Sequence, residues 1–275
     1  MNPYDEAAQI VRERDRDRFI SALFAREPAR RNLFALYAFN TEISRVRFIV
    51  TEPGLGEIRL QWWRDAIVGG KGGGNPLAEA LLKTIAENRL PIEAFDAMLT
   101  ARIFDLYNDP MPTLEDLEGY AGETESALFQ LATMVLRSGV DVGSADASGH
   151  AGVAVAMRNA LMQFGRDARR RQLFLPRDRL EAAGVDIDGV FSAAATPELE
   201  RALTELRRVA EDHLAKAKRA IAKLPESIRT AFLPLSLVKA DLARIDLRKP
   251  FDATKELPMW RRQLVVWWAA RRRLT

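Results

Sequence analysis

From Gly152 to Pro176 the chain reads GVAVAMRNALMQFGRDARRRQLFLP. As far as Phe164 it is almost wholly apolar, too evenly so for a surface helix with one wet face. A helix of this kind must be enclosed by other elements, which is the strongest single constraint on the fold. At about 100° per residue, Gly152, Ala156, Asn159, Gln163, Arg166 and Asp167 fall on one narrow side. Polar groups sealed in an apolar core cost free energy unless paired, so this stripe is expected to line a cavity.

The rest of the chain supplies the enclosing helices. Residues 5–24 read as one helix, and Arg30–Val50 as a second carrying Leu33, Leu36, Tyr37, Ile43 and Val46. Pro53 marks the end of the second, since the residue before a proline is pushed out of helical geometry. A third helix covers roughly 56–68, and the glycines from Gly69 to Gly74 form a flexible connection. That loop lacks the Lys-Ser/Thr ending of a phosphate-binding loop. Pro76–Asn88 and Pro91–Asn108 each open on a proline suited to a first helical turn. Thr113 and Asp116 suggest the start of a helix running to about Arg137. Glu198–Lys223, Ser227–Ile245 and Pro258–Arg272 complete the set, with Asp141–Ser148 and Pro176–Pro197 as the longest non-helical stretches. Alternating strand patterns and internal repeats are absent. The expectation is an all-α, single-domain fold over residues 1–275.

Composition removes several function classes. Without cysteine there are no disulfides, no thiolate metal sites and no cysteine nucleophile. The two histidines, His150 and His213, lie 63 positions apart in sequence and suggest no metal cluster. With 41 basic against 38 acidic residues the charge is nearly balanced, giving no argument for a nucleic-acid partner. Residues 1–18 carry charges throughout, and no run approaches the ~18 apolar residues of a spanning helix. A cytoplasmic protein is expected, at most peripheral at the inner face of the membrane. Residues 258–272 mix three tryptophans with arginines, a composition suited to a membrane interface or a partner helix and equally to a core-docked terminal helix.

The buried stripe resembles a helix of the squalene and phytoene synthases, Asn-x-x-Arg-Asp-x-x-x-Asp followed by a basic turn and Tyr-Leu-Pro. Here it reads Asn159, Met162, Gln163 and Asp167, then Arg169, Arg170, Arg171 and Phe174-Leu175-Pro176. Their other metal-binding helix, Tyr-Ala-x-Cys-Arg-x-x-Asp-Asp-x-x-Asp, resembles Leu36–Phe48. In that alignment Tyr37 is kept, Thr41 stands at the diphosphate-binding arginine, and Ser44 and Phe48 stand at metal-binding aspartates. Leu60-Gln61-Trp62-Trp63-Arg64 is similar to the family's Leu-x-x-Trp-Arg, and Ile103-Phe104-Asp105-Leu106 to its Met-Asp-Leu.

The resemblance implies an isoprenoid-synthase helical bundle around a central cavity. In the active synthases, carboxylates from two facing helices hold magnesium ions that neutralise the leaving diphosphate. Of the four carboxylates expected here, only Asp167 survives, as the one remaining metal candidate. Glu42 sits about 200° round the helix from Ser44 and faces away. The simpler reading of Asp167 is an ion pair with Arg166, Arg170 or Arg171. Tyr37, Thr41, Asp105, Asn159, Gln163 and Arg166 remain cavity-lining candidates for ligand binding. Glu123 and Glu125 depart from the family pattern and could compensate arginines at Arg45, Arg47 and Arg166.

The chain resembles most closely a non-catalytic branch, the mitochondrial complex I assembly factor of squalene/phytoene synthase type. The shared blocks are Ala38–Glu42, Gln61-Trp62-Trp63, Leu117–Glu123 and the basic turn before Phe174-Leu175-Pro176. That implies a pseudoenzyme with no cofactor, acting on a membrane protein complex or its subunits. One alternative is a magnesium-dependent prenyltransferase joining two prenyl diphosphates; another is a carrier of a prenyl or other lipid ligand.

Overall fold

A computed structural model describes residues 2–271, and among them there is no strand. The elements are α1 (Pro3–Arg14), α2 (Arg16–Ala22), α3 (Ala29–Ile49), α4 (Pro53–Gly69), α5 (Pro76–Asn88) and α6 (Ile92–Ala101). A short 3₁₀ turn, Phe104–Leu106, leads to α7 (Leu114–Ala121), a π turn (Gly122–Ser126) and α8 (Ala127–Leu136). Then follow α9 (Ala145–Arg169), α10 (Arg177–Ala182), α11 (Ile187–Phe191) and α12 (Pro197–Ile221). A 3₁₀ segment, Glu226–Leu237, precedes α13 (Val238–Leu242) and α14 (Met259–Arg271). Position 272, expected within the last helix, lies outside the described residues.

Helix starts are written into the sequence as caps. Asn75 accepts from the Ala78 amide at 3.1 Å, and Thr196 from Leu199 at 3.2 Å. Thr113 and Asp116 satisfy each other's backbone amides in a capping box at the head of α7. Prolines occupy the first turns of α4, α5 and α12, where their missing amide hydrogen is not needed.

Several expected helices are broken, each at a local cause. Residues 5–24 divide at Asp15, whose backbone leaves helical geometry while its side chain caps the next helix through the Arg18 amide at 3.1 Å. Residues 91–108 stop being α-helical after Ala101, where Arg102 and Asp105 turn inward. The helix from Thr113 to Arg137 widens into a π turn at Gly122–Ser126, and the extra residue swings Thr124, Glu125 and Ser126 all to the inside. Pro234, with no amide hydrogen, lies within the 3₁₀ segment of residues 226–237, where an α-helix was expected. In the other direction, α9 begins at Ala145, inside an expected loop, and the 176–197 stretch contains α10 and α11.

α9 is indeed enclosed. It lies along α12 and is covered by the π turn, α8 and α13. α3 packs against α1, α5 and α8. One core cluster contains residues from Tyr4 to Ile245, with Phe39, Phe95 and Phe232 fully buried in it. Each such side chain contributes roughly 1.5–3 kcal/mol by leaving water. Gly152 sets the closest approach in this packing. A Cβ there would stand 2.4 Å from the Ser126 backbone nitrogen, so only glycine lets α9 meet the π turn. The outcome is a bundle whose two central helices, α3 and α9, face each other across a polar space.

Candidate functional site: an arginine-lined cavity

That space is a cavity of about 320 Å³ between α3, α9, the α1–α2 junction, the α7–π turn and the Arg102–Asp105 bend. From α9 it takes Ala156, Asn159, Gln163 and Asp167, the expected stripe. Gly152 and Arg166 leave the stripe. Gly152 is spent on the contact with Ser126, and Arg166 lies at its margin and turns to solvent. From α3 come Thr41, Ser44 and Phe48. Both hydroxyls fold back on their own helix, Thr41 donating to the Tyr37 carbonyl at 2.8 Å and Ser44 to Thr41 at 3.1 Å. Tyr37 is buried and does not reach the cavity wall, and the Arg18 guanidinium lies 5.7 Å from its ring centre. Glu42, on the other side of α3, pairs with Arg14 at 2.7 Å.

Six arginines line the cavity: Arg14, Arg18, Arg45, Arg47, Arg102 and Arg158. Five of them are paired. Arg18 bridges Asp15 at 2.8 Å and Glu125 at 2.5 Å. Burial alone would raise the Glu125 carboxyl, but Arg18 and Arg102 together hold it below its usual value. Arg102 reaches Asp105 at 3.2 Å, and the Tyr120 hydroxyl donates to the same carboxylate at 2.7 Å. Burial, reinforced by Asp105, raises the Tyr120 hydroxyl well above its usual value and keeps it protonated. Arg158 pairs with Asp241 at 3.1 Å, a carboxylate with no exposure at all, which Arg262 of α14 also binds.

The metal-site question turns on Asp167. Its partner is Arg47, at 3.1 Å, rather than the neighbouring arginines of its own helix. Burial raises the Asp167 carboxyl above its usual value, and Arg47, Arg166 and Arg170 only partly offset this. The Phe48 ring lines the same cavity wall as Asp167. Around it gather Arg47 at 4.4 Å, Arg170 at 4.8 Å and Arg166 at 5.0 Å from the ring centre. Among the described residues no group of three or more His, Asp or Glu side chains could hold a metal ion. Magnesium takes oxygen ligands from several carboxylates, and this donor set does not fit it.

Glu125 faces the cavity but compensates Arg18 instead of Arg45, Arg47 or Arg166, and Glu123 is exposed. Trp63 is a core residue, edge-on to Phe39 at 5.2 Å, while Arg64 bonds Asp96 on α6. Sequence reasoning missed Arg18, Arg102, Arg158 and Asp241 as parts of the site. The Asp15–Arg18 and Arg102–Asp105 spacings were the local signals; the other partners, Glu125 of Arg18 and Asp241 of Arg158, are 107 and 83 positions away. The histidines, remote in sequence, meet across α9 and α12 with their Nδ1 atoms 3.2 Å apart.

The all-α bundle has the isoprenoid-synthase fold. Residues 11–268 match the squalene/phytoene synthase family, and the chain belongs to it. It is 27% identical over 248 residues to complex I assembly factor 6 of Rattus norvegicus, covering 89% of this chain and 74% of that one. It is 26% identical over 205 residues to presqualene diphosphate synthase of Zymomonas mobilis, covering 74% of this chain and 70% of that one. The squalene synthase HpnC from Alicyclobacillus acidocaldarius has the same fold, with a TM-score of 0.76 at 22% identity over 88% of this chain and 92% of that one.

Proposed function

We propose that this protein is a catalytically inactive member of its family and serves in the assembly of respiratory complex I. The observation that carries the reading is the arginine-paired interior. Where two carboxylate-bearing helices would hold magnesium, α3 and α9 present Ser44, Phe48, Gln163 and an Asp167 tied to Arg47. A diphosphate leaves only when its growing charge is neutralised, and a phenyl ring supplies nothing for that step. The similarity to assembly factor 6 in several animals and in Dictyostelium discoideum supports the positive half of the reading. A prenyl-lipid carrier is disfavoured by the lining itself, since a hydrocarbon chain among buried ion pairs gains little and leaves their outer edges desolvated.

The protein would act peripherally at the inner face of the membrane. No helix among the described residues is long and apolar enough to cross a membrane. Trp260, Leu264 and Trp268 are exposed along one side of α14, flanked by Arg261 and Arg271, which suits interfacial contact.

Two measurements test the proposal. Purified protein incubated with farnesyl or geranylgeranyl diphosphate and magnesium is expected to release no diphosphate and form no joined product. Deletion of the gene in its host is expected to reduce assembled complex I on native gels. Product formation that depends on Asp167 overturns the inactive reading, and unchanged complex I overturns the assembly role.

A further inference from the structure

His150 on α9 and His213 on α12 are the chain's two histidines, and the fold brings them together outside the cavity between α3 and α9. Their Nδ1 atoms stand 3.2 Å apart, with the ring planes at 72° to each other. A carboxylate lies behind each ring. Glu118 of α7 is 3.6 Å from the His213 Nε2, and Asp146 of α9 is 3.7 Å from the His150 Nε2. Among the described residues neither carboxylate meets a lysine or arginine at ion-pair distance, whereas Asp212, next to His213 in sequence, is matched by Lys216 at 2.7 Å. Two neutral rings thus sit between two negative charges that nothing else offsets.

A hydrogen bond between the rings leaves this arrangement mismatched. A neutral imidazole carries one N–H. The ring that donates from Nδ1 has a bare Nε2, whose lone pair then faces a carboxylate. A cation held by both Nδ1 atoms removes the conflict, since each ring then carries its proton on Nε2, on the side of a carboxylate. That is the outer-shell pattern of metal-bound histidines. An extra proton shared between the Nδ1 atoms gives the same match, and the metal-bound state competes with it. The distances fit a metal as well. Bonds of about 2.0–2.1 Å from a zinc ion to nitrogens 3.2 Å apart enclose an angle of about 100°, near tetrahedral. With each ring centre about 1.15 Å behind its nitrogen, rings aimed at such an ion have centres about 5 Å apart, against about 5.5 Å for a straight N–H···N bond. The centres here are 5.0 Å apart.

We propose that His150 and His213 form a binding site for a divalent transition-metal ion of the zinc type, oriented by Glu118 and Asp146 and bridging α9 to α12. Imidazole nitrogens suit ions of this class, while magnesium prefers oxygen ligands. With two protein ligands, the ion keeps the rest of its coordination sphere open to water or to a group from another molecule. The His150 side chain is 30% exposed, so the ion reaches the site from solvent. The site stands apart from the assembly reading and does not depend on it.

The test uses the full chain without an affinity tag, stripped with EDTA and then freed of it. Calorimetric titration with zinc chloride at neutral pH is expected to show one saturable site. His150→Ala and His213→Ala are each expected to weaken it at least tenfold, and Glu118→Gln about tenfold, the range for outer-shell partners. Circular dichroism checks folding, and if the more buried His213→Ala fails to fold, His150→Ala carries the test. Electron paramagnetic resonance of one equivalent of copper(II) is expected to show coupling to two imidazole nitrogens, reduced to one in His150→Ala. The chain has no other histidine and no cysteine, so that signal has a single origin. A large excess of magnesium is expected to leave zinc bound. No zinc binding, zinc affinity unchanged in His150→Ala, displacement of zinc by magnesium, or a copper spectrum without imidazole coupling overturns the inference. Unchanged affinity in Glu118→Gln overturns the role given to that carboxylate. Each of these results leaves the assembly reading standing.

Discussion

His150 and His213 approach to 3.2 Å between their Nδ1 atoms, so one ring must donate and the other accept, and the pair holds at most one proton there. Glu118 lies 3.6 Å from the far nitrogen of His213, and Asp146 3.7 Å from that of His150. Burial lowers the pKa of His213 below its usual 6.5, with His150 adding to the effect and Glu118 opposing it. As pH falls through 6.5, the unfolded chain therefore takes up a proton that the folded chain resists. The unfolded state binds more protons in that window, so stability drops on acidification. The melting temperature is expected to fall from pH 7 to pH 5 by more in the native protein than in His213→Gln. Parallel profiles for the two would remove the histidine pair as the cause. Neither histidine announced this contact in the sequence. A residue's chemistry can be read from its type, but the identity of its partner depends on which helices meet. Ser44, Phe48 and Gln163 were legible as cavity-wall positions because helical period and alignment act along a single helix. Arg47 as the partner of Asp167 was not, since the two are 120 positions apart.

At the scale of elements, period and caps carried most of what was readable. α3, α4, α5, α9 and α12 follow the apolar spacing, and Thr113 with Asp116 marks the start of α7 by chemistry that acts within one turn. What the spacing could not show was where a continuous apolar pattern changes its hydrogen bonding. The π turn at Gly122–Ser126 and the 3₁₀ segment before α13 exist to meet other elements, and those contacts are long-range. The π turn shows the dependence most directly. It places Ser126 against Gly152, with the Ser126 hydroxyl donating to the Gly149 carbonyl at 3.2 Å. A side chain at position 152 would have to displace backbone, not merely a flexible tip. Gly152→Val is expected to destabilise the protein by about 1–3 kcal/mol in urea unfolding, the range for overpacked cores. It should also disturb the cavity wall, because Thr124 and Glu125 belong to the same turn. A neutral effect would mean that the close approach of α9 to this turn is not rigid.

At the scale of the whole molecule, the chain is closed on itself by charge. Arg262 on α14 binds Asp17 on α2 at 2.5 Å and Asp241 on α13 at 3.0 Å, joining positions 245 and 21 apart. Asp241 in turn holds Arg158 at the cavity wall. A single network thus ties the terminal helix, the first helices and the site together. The apolar contact under α14 is a satellite cluster of Leu233, Leu237 and Val266, with Ile20, Leu257, Val265, Ala269 and Ala270 packed against it, apart from the main core. The ion pairs therefore fix where α14 sits, while burial of apolar surface holds the bundle beneath it. Removing one partner of a buried pair costs more than the pair itself contributes, because the remaining charge keeps its desolvation without its counterion. Arg262→Ala leaves Asp241 with Arg158 alone and is expected to cost about 3–5 kcal/mol. Arg262→Met keeps most of the volume and separates lost packing from lost charge. If charge closure holds the helix, both variants lose stability to a similar extent and the amides of α14 exchange hydrogen faster than those of α9. If Arg262→Met restores native stability, the helix is held by packing, and the network serves only to orient Arg158 in the cavity.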